Sequence, residues 1–104
     1  MTDSNDLSEA LMTAVSALLG RNPELTPIQA AVLAACGLGI AEDSRSFANR
    51  LGMEHAIVLR EAEELADATE LLLLGKQDAR TMRQWYSLSI SGKALLQEEG
   101  MPVR

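Results

Sequence analysis

Lys76, Arg80 and Arg83 fall in one short polar stretch, and Trp85 follows two residues after the last of them. Clustered cations on a turn attract phosphate or another anion. An exposed indole beside them and Met82 would add a flat apolar contact surface. Three further arginines are candidates for the same partner: Arg45 and Arg50, on either side of the segment Ser46–Asn49, and Arg60. Arg45 and Arg50 also have nearby carboxylates, Glu42, Asp43 and Glu54, with which exposed pairs could form. Other chemistry is poorly served. Cys36 stands alone in an apolar run and reads as a buried, inert thiol. His55 has no second histidine and no nearby cysteine, so a zinc site cannot be assembled from the usual ligands. Gly37 and Gly39 lack the Lys-Thr or dinucleotide pattern of a phosphate-cradling loop. No nucleophile-elbow motif surrounds any serine. No enzyme activity, cofactor or metal is expected.

The totals set the frame for these cations. The chain has 104 residues, suited to one domain, and a formal net charge of −6. An acidic chain is a poor general ligand for nucleic acid, whose affinity comes largely from phosphate neutralisation. Positive charge must therefore be concentrated locally if it is to act. Hydrophobic residues make up 47% but aromatics only 3%, so the core must be built from Leu, Ala, Val, Ile and Met, which favours helices. No apolar run approaches the roughly 20 residues of a membrane span. The start MTDSND lacks the basic region of a signal peptide. A cytoplasmic location is the expectation.

The elements that would position the cations can be read from periodicity. Leu7, Leu11, Val15 and Leu18 form a helical stripe between Asp6 and Leu19. Gly20 and Asn22-Pro23 end it. Thr26-Pro27-Ile28-Gln29 is a helix start, with Thr26 as cap, proline in the first turn and Gln29 closing a capping box. The nearly all-apolar QAAVLAAC that follows should be the central buried helix. Ser44 is expected to cap a short helix carrying Phe47, Ala48 and Leu51 inward. A Leu51-Gly52 turn leads to a longer helix from about Glu54 to Ala68, with Val58, Ala62, Leu65 and Ala66 buried, giving a helix-turn-helix. Residues 70–74 read as a buried strand. Residues 84–90 alternate, with Tyr86, Leu88 and Ile90 on one face, and read as a half-buried strand. The polar link between them closes a hairpin, and Ser91 is expected to cap a last helix from Gly92 to Glu99. The fold class is mainly α with a small β-hairpin: a winged helix-turn-helix plus an N-terminal helix. The expected organisation is an N-terminal helix over 1–22, a winged-helix domain over 23–100 and a tail over 101–104.

Four segments in this order, LTPIQAAVL, SFANRLGMEHAIVLREAEEL, DAR and SLSISGKALL, resemble the core of MarR-type bacterial transcriptional regulators from about Leu25 to Leu96. In that family the wing carries an Asp and an Arg, then Leu-Thr, then Lys-Gly before the last core helix. Here the matching residues are Asp78, Arg80, Leu88-Ser89 and Ser91-Gly92-Lys93. The resemblance implies a recognition helix and wing that hold double-stranded DNA. The departures are specific. Ala56 and Ile57 stand where the family often offers Ser or Thr. Glu63 and Glu64, with Glu61 adjacent, stand where it tends to be basic, and Arg60 is the positive charge retained. Thr69 replaces the usual Gly after that helix, and the wing is about two residues longer than the family spacing gives. The long C-terminal helices that build the family's dimer are not part of this sequence.

Two functions follow from different classes. One is a small DNA-binding transcriptional regulator whose weak binding runs largely through the wing, with Arg45, Arg50, Arg60, Lys76, Arg80 and Arg83 as contacts. The other is a protein-interaction module whose acidic recognition helix docks a basic protein partner or mimics DNA charge, without binding DNA. In either case a homodimer is expected to use the stripe of Leu7, Leu11, Val15 and Leu18.

Overall fold

The computed structural model describes the backbone of residues 3–101 and 103, and side chains from Glu9 onward with the exception of residues 102 and 104. Helix α1 spans Asp3–Arg21 and lies on α2, Pro27–Gly37. Leu11, Ala14 and Leu18 recur at helical spacing and are buried in this contact. The start of α2 is set locally, as its sequence indicates. The Thr26 hydroxyl accepts the Gln29 N–H at 3.0 Å, and the Gln29 side chain accepts the Thr26 N–H at 3.1 Å. Helix α2 is the central element. Ala30, Val32, Leu33, Ala34 and Ala35 are all buried, and α1, α4, α5 and β2 pack around it. Its alanines let these neighbours approach closely.

Helix α3, Ser44–Leu51, and helix α4, His55–Ala68, form the helix-turn-helix. Gly52 closes α3 at φ 64°, a left-handed conformation that costs glycine little. The inward residues are Phe47 and Ala48 on α3, and Val58, Ala62 and Leu65 on α4. Strands β1, Leu72–Gln77, and β2, Gln84–Leu88, pair antiparallel, with Leu72 opposite Leu88 and Leu74 opposite Tyr86. The register slips between Leu74 and Gln77. The other edge of β2 meets the segment before α3: Asp43 bridges Trp85, and Tyr86 N–H donates to Glu42 O at 3.1 Å. β2 is thus flanked on both sides, and β1 lies at the edge. Helix α5, Ile90–Glu98, closes the core with Leu96. This is a mainly helical winged helix with an added N-terminal helix. Among the described residues no helix is long and apolar enough to cross a membrane.

Several local expectations are corrected. Leu51, expected inward on α3, is 37% exposed at the end of that helix. Asp43, not Ser44, caps α3: its carboxylate accepts the Ser46 N–H at 2.9 Å, while the Ser44 hydroxyl is buried and engaged elsewhere. Ser89, not Ser91, caps α5 by accepting the Gly92 N–H at 2.9 Å. That earlier start ends the alternation of β2 and leaves Ile90, expected on the inward face, 89% exposed. The first strand begins at Leu72 and is buried only there, and among the described residues it pairs with β2 alone. Ala66 is only partly buried, at the margin of the inward face of α4.

Gly92 supplies a test of how α5 docks. A Cβ at this position would collide with the Leu71 carbonyl oxygen and crowd Leu88. Backbone cannot yield as a flexible side-chain end can, so Gly92→Ala should destabilise the fold by about 1–3 kcal/mol. Urea unfolding measures it; an unchanged midpoint would contradict this docking.

Candidate nucleic-acid interface

The turn that carries the cations is built by one carboxylate. Asp78 Oδ1 accepts the N–H groups of Arg80 at 2.8 Å and Thr81 at 3.0 Å. The Asp78 N–H donates to Arg83 O, and the Met82 N–H donates to Asp78 O. Met82 is held at φ 65°, in the left-handed region, and its carbonyl accepts from Gln77 Nε2 at 3.2 Å. The Thr81 and Arg80 N–H groups hold the Asp78 carboxyl below the usual carboxylate range, with a further contribution from Arg83. The hairpin tip therefore has a defined shape set by local hydrogen bonds.

Beside this turn, Trp85 is partly exposed and organises two of the cations. Lys76 Nζ lies 4.9 Å from the ring centroid and Arg83 Cζ 5.5 Å. Arg83 Nη1 also pairs with Asp43 Oδ2 at 3.0 Å. From α3, Arg45 Nη2 reaches the Thr81 carbonyl at 3.4 Å. Arg45, Lys76, Arg80 and Arg83 thus gather on the wing and its junction with α3. Arg80 is the exposed member with no side-chain partner among the described residues. Arg50 and Arg60 are exposed as well, and lie on α3 and α4.

Helix α4 presents a different face. With Val58, Ala62 and Leu65 inward, helical geometry directs Ala56, Arg60, Glu63, Glu64 and Asp67 outward, and all five are exposed. One cation therefore stands among three carboxylates. Glu61 does not belong to this face: it is partly buried and accepts the Thr26 hydroxyl at 2.9 Å, tying α4 to the start of α2. Asp67 does belong to it. The helical period places Asp67 seven residues after Arg60 on the same line, a placement legible in the spacing alone.

The start of α4 is joined to both α3 and the wing. Ser44, fully buried, lies 2.7 Å from His55 Nε2 and accepts the Gln84 N–H at 2.9 Å. The Ser44 hydroxyl and His55 Nε2 are thus hydrogen-bond partners, the donor being set by the imidazole tautomer. Desolvation lowers the His55 pKa below 6.5, and the Arg45 and Arg83 charges add to the effect against a smaller opposing influence of Asp43. Gln84 in turn donates from Nε2 to Gly75 O at 2.9 Å, Lys76 O at 3.1 Å and Trp85 O at 2.8 Å, satisfying carbonyls around the register slip.

The remaining expectations are placed as follows. Leu11 and Leu18 are buried in the chain's own core, Val15 packs partly against it, and the Leu7 side chain lies outside the described residues. Within one chain the stripe is thus occupied by α2. Burial, with Glu42 nearby, pushes the Cys36 thiol up to about 11, far from thiolate reactivity. Among the described residues no three His, Cys, Asp or Glu side chains converge to hold a metal ion. No family model, curated protein or solved structure compared with the chain matches it.

The His55 environment has a defined pH consequence. A folded-state pKa below that of the unfolded chain means the neutral imidazole stabilises the fold. This contribution is complete above pH 6.5 and is lost as the pH falls through the folded pKa. Histidine NMR titration should give a value below 6.5. Urea midpoints between about pH 5 and 8 should fall toward acid more steeply for wild type than for His55→Gln. A titration at or above 6.5 would contradict the environment described.

Proposed function

We propose that this chain is a small MarR-like winged-helix transcriptional regulator that holds duplex DNA weakly, chiefly through its wing. The observation that carries this reading is the gathering of Arg45, Lys76, Arg80 and Arg83 on one hydrogen-bonded hairpin and its junction with α3. A shaped, cationic hairpin suits contact with phosphates, which position a protein on DNA without specifying sequence. The outward face of α4 offers Arg60 alone for direct contact. Glu63, Glu64 and Asp67 repel the backbone, and the usual base-edge partner of a carboxylate is restricted to the cytosine N4 amino group. Binding is accordingly salt-sensitive and loosely sequence-specific.

The acidic face of α4 favours a second reading, in which that face docks a basic protein partner and the wing serves only to frame it. The two readings differ in a salt-titrated binding experiment with random duplex DNA. On the first, wild type binds at low salt. Arg80→Ala then lowers the slope of log K against log salt by about 0.9, the value for one lost phosphate contact. Replacing Glu63 and Glu64 together by Lys strengthens binding. Arg83→Ala weakens binding too, but it also removes the Asp43 pair and lowers stability, so Arg80 is the cleaner probe. No binding by wild type at low salt would refute the first reading and leave the second.

A further inference from the structure

The C-terminal half of α4 and the turn between α1 and α2 border a cavity of about 540 Å³. Glu24 comes from the turn, and Glu64 and Asp67 come from α4. All three are exposed, and none is paired with a cation among the described residues. The helix end adds to their field. The chain leaves α4 at Thr69 in an extended conformation, and among the described residues no donor reaches the carbonyls of Ala66, Asp67 and Ala68. Free carbonyls at a helix C-terminus attract a cation, and the last turn of α4 supplies none. Gln29 also lines the cavity and is only 7% exposed. Its Oε1 accepts the Thr26 N–H at 3.1 Å, while its Nε2 has no partner among the described residues. A nearly buried amide, fixed through its oxygen, thus keeps two donors for an acceptor. The complement of this groove is a cationic side chain carried beside a free carbonyl oxygen.

The wing tip of this chain has that form. Arg80 is exposed, its side chain has no partner among the described residues, and its backbone is fixed by Asp78 Oδ1. The Ala79 and Arg80 carbonyls accept no hydrogen bond among the described residues. A turn ordered beforehand loses little freedom on docking, and the arginine fork suits carboxylates.

We propose that the groove receives Arg80 of a second copy of this chain, and that two copies make the contact reciprocally about a two-fold axis. The groove lies where α4 runs into β1, and the tip lies beyond the far end of β1. Copies laid antiparallel therefore set each tip against the other's groove. Such an isologous contact closes on itself as a dimer. The net charge of −6 on each chain opposes approach. That repulsion is largely screened beyond about 10 Å in roughly 0.1 M salt, whereas a pair held within a groove is screened much less. The contact does not rest on DNA binding. It also differs from docking of a foreign basic surface, which leaves the chain monomeric on its own.

The experiment is sedimentation equilibrium on the full chain. Wild type should dimerise reversibly. Arg80→Glu should weaken association about tenfold, and so should Glu64→Lys combined with Asp67→Lys, because like charges then face each other. Mixed in equal amounts, the two variants should associate as wild type does. One contact then joins reversed tip to reversed groove, and the other joins native tip to native groove. The two groove reversals, two units each, raise the net charge by four. General repulsion would therefore let that variant self-associate more readily, the opposite of the outcome expected here. The altered side chains are exposed, lysine suits a helix C-terminus, and circular dichroism checks that each variant folds. A monomeric wild type, a dimer indifferent to either variant, or variants that stay apart when mixed would overturn the proposal.

Discussion

The buried pair Asp43–Ser44 joins three elements that would otherwise be independent. The Asp43 carboxylate caps α3 through Ser46 and holds Arg83 where the wing turn enters β2. The Ser44 hydroxyl takes the Gln84 N–H from β2 and faces His55 at the start of α4. Asp43, Ser44 and Gln84 are three of the few polar residues buried in this core, and they lie next to one another. A buried polar group left without a partner costs about 1–3 kcal/mol, so these groups fix geometry more strictly than apolar contacts of the same size. This junction ties α4 and the wing to the start of α3.

Its consequence for charge is direct. Arg83 serves the junction and stacks on Trp85, so its charge is partly answered within the chain. Arg45 is directed at the wing backbone. Among the candidate contacts, the cations that remain most available are those without such ties: Arg80 at the tip, Arg60 on α4 and Arg50 at the end of α3. The chain places a modest positive edge beside an acidic helix. Such a division suits positioning on a polyanion better than base reading, and it equally leaves the helix face open to a basic surface.

Much of this architecture is legible in the sequence where a local rule suffices. The Thr26–Gln29 capping box, the Gly52 turn and the inward spacing of Val58, Ala62 and Leu65 each depend on near neighbours and on period. The failures involve residues whose roles are set by distant partners. Ser44 resembles an N-cap until Gln84, forty residues later, takes its oxygen. Glu61 resembles a surface charge until Thr26 donates to it. Arg83 resembles a free cation until Asp43 folds against it. The leucines of β1 resemble core because they are apolar, yet Leu73 and Leu74 lie at a sheet edge that no local pattern marks. The elements that carry the candidate residues follow from local pattern, whereas the availability of each side chain depends on tertiary contacts.

Native-state amide hydrogen exchange on Ser44→Ala, compared with wild type, tests the junction most directly. If Ser44 couples wing to helix-turn-helix, protection should fall at Gln84, whose N–H loses its acceptor, and at the first turn of α4 beyond His55. Leu33 and Ala34 in α2 should keep protection close to the wild-type value after correction for global stability. Unchanged exchange at Gln84 and in that first turn would contradict the coupling. So would a uniform loss across all elements, which would mean that Ser44 contributes to general packing alone.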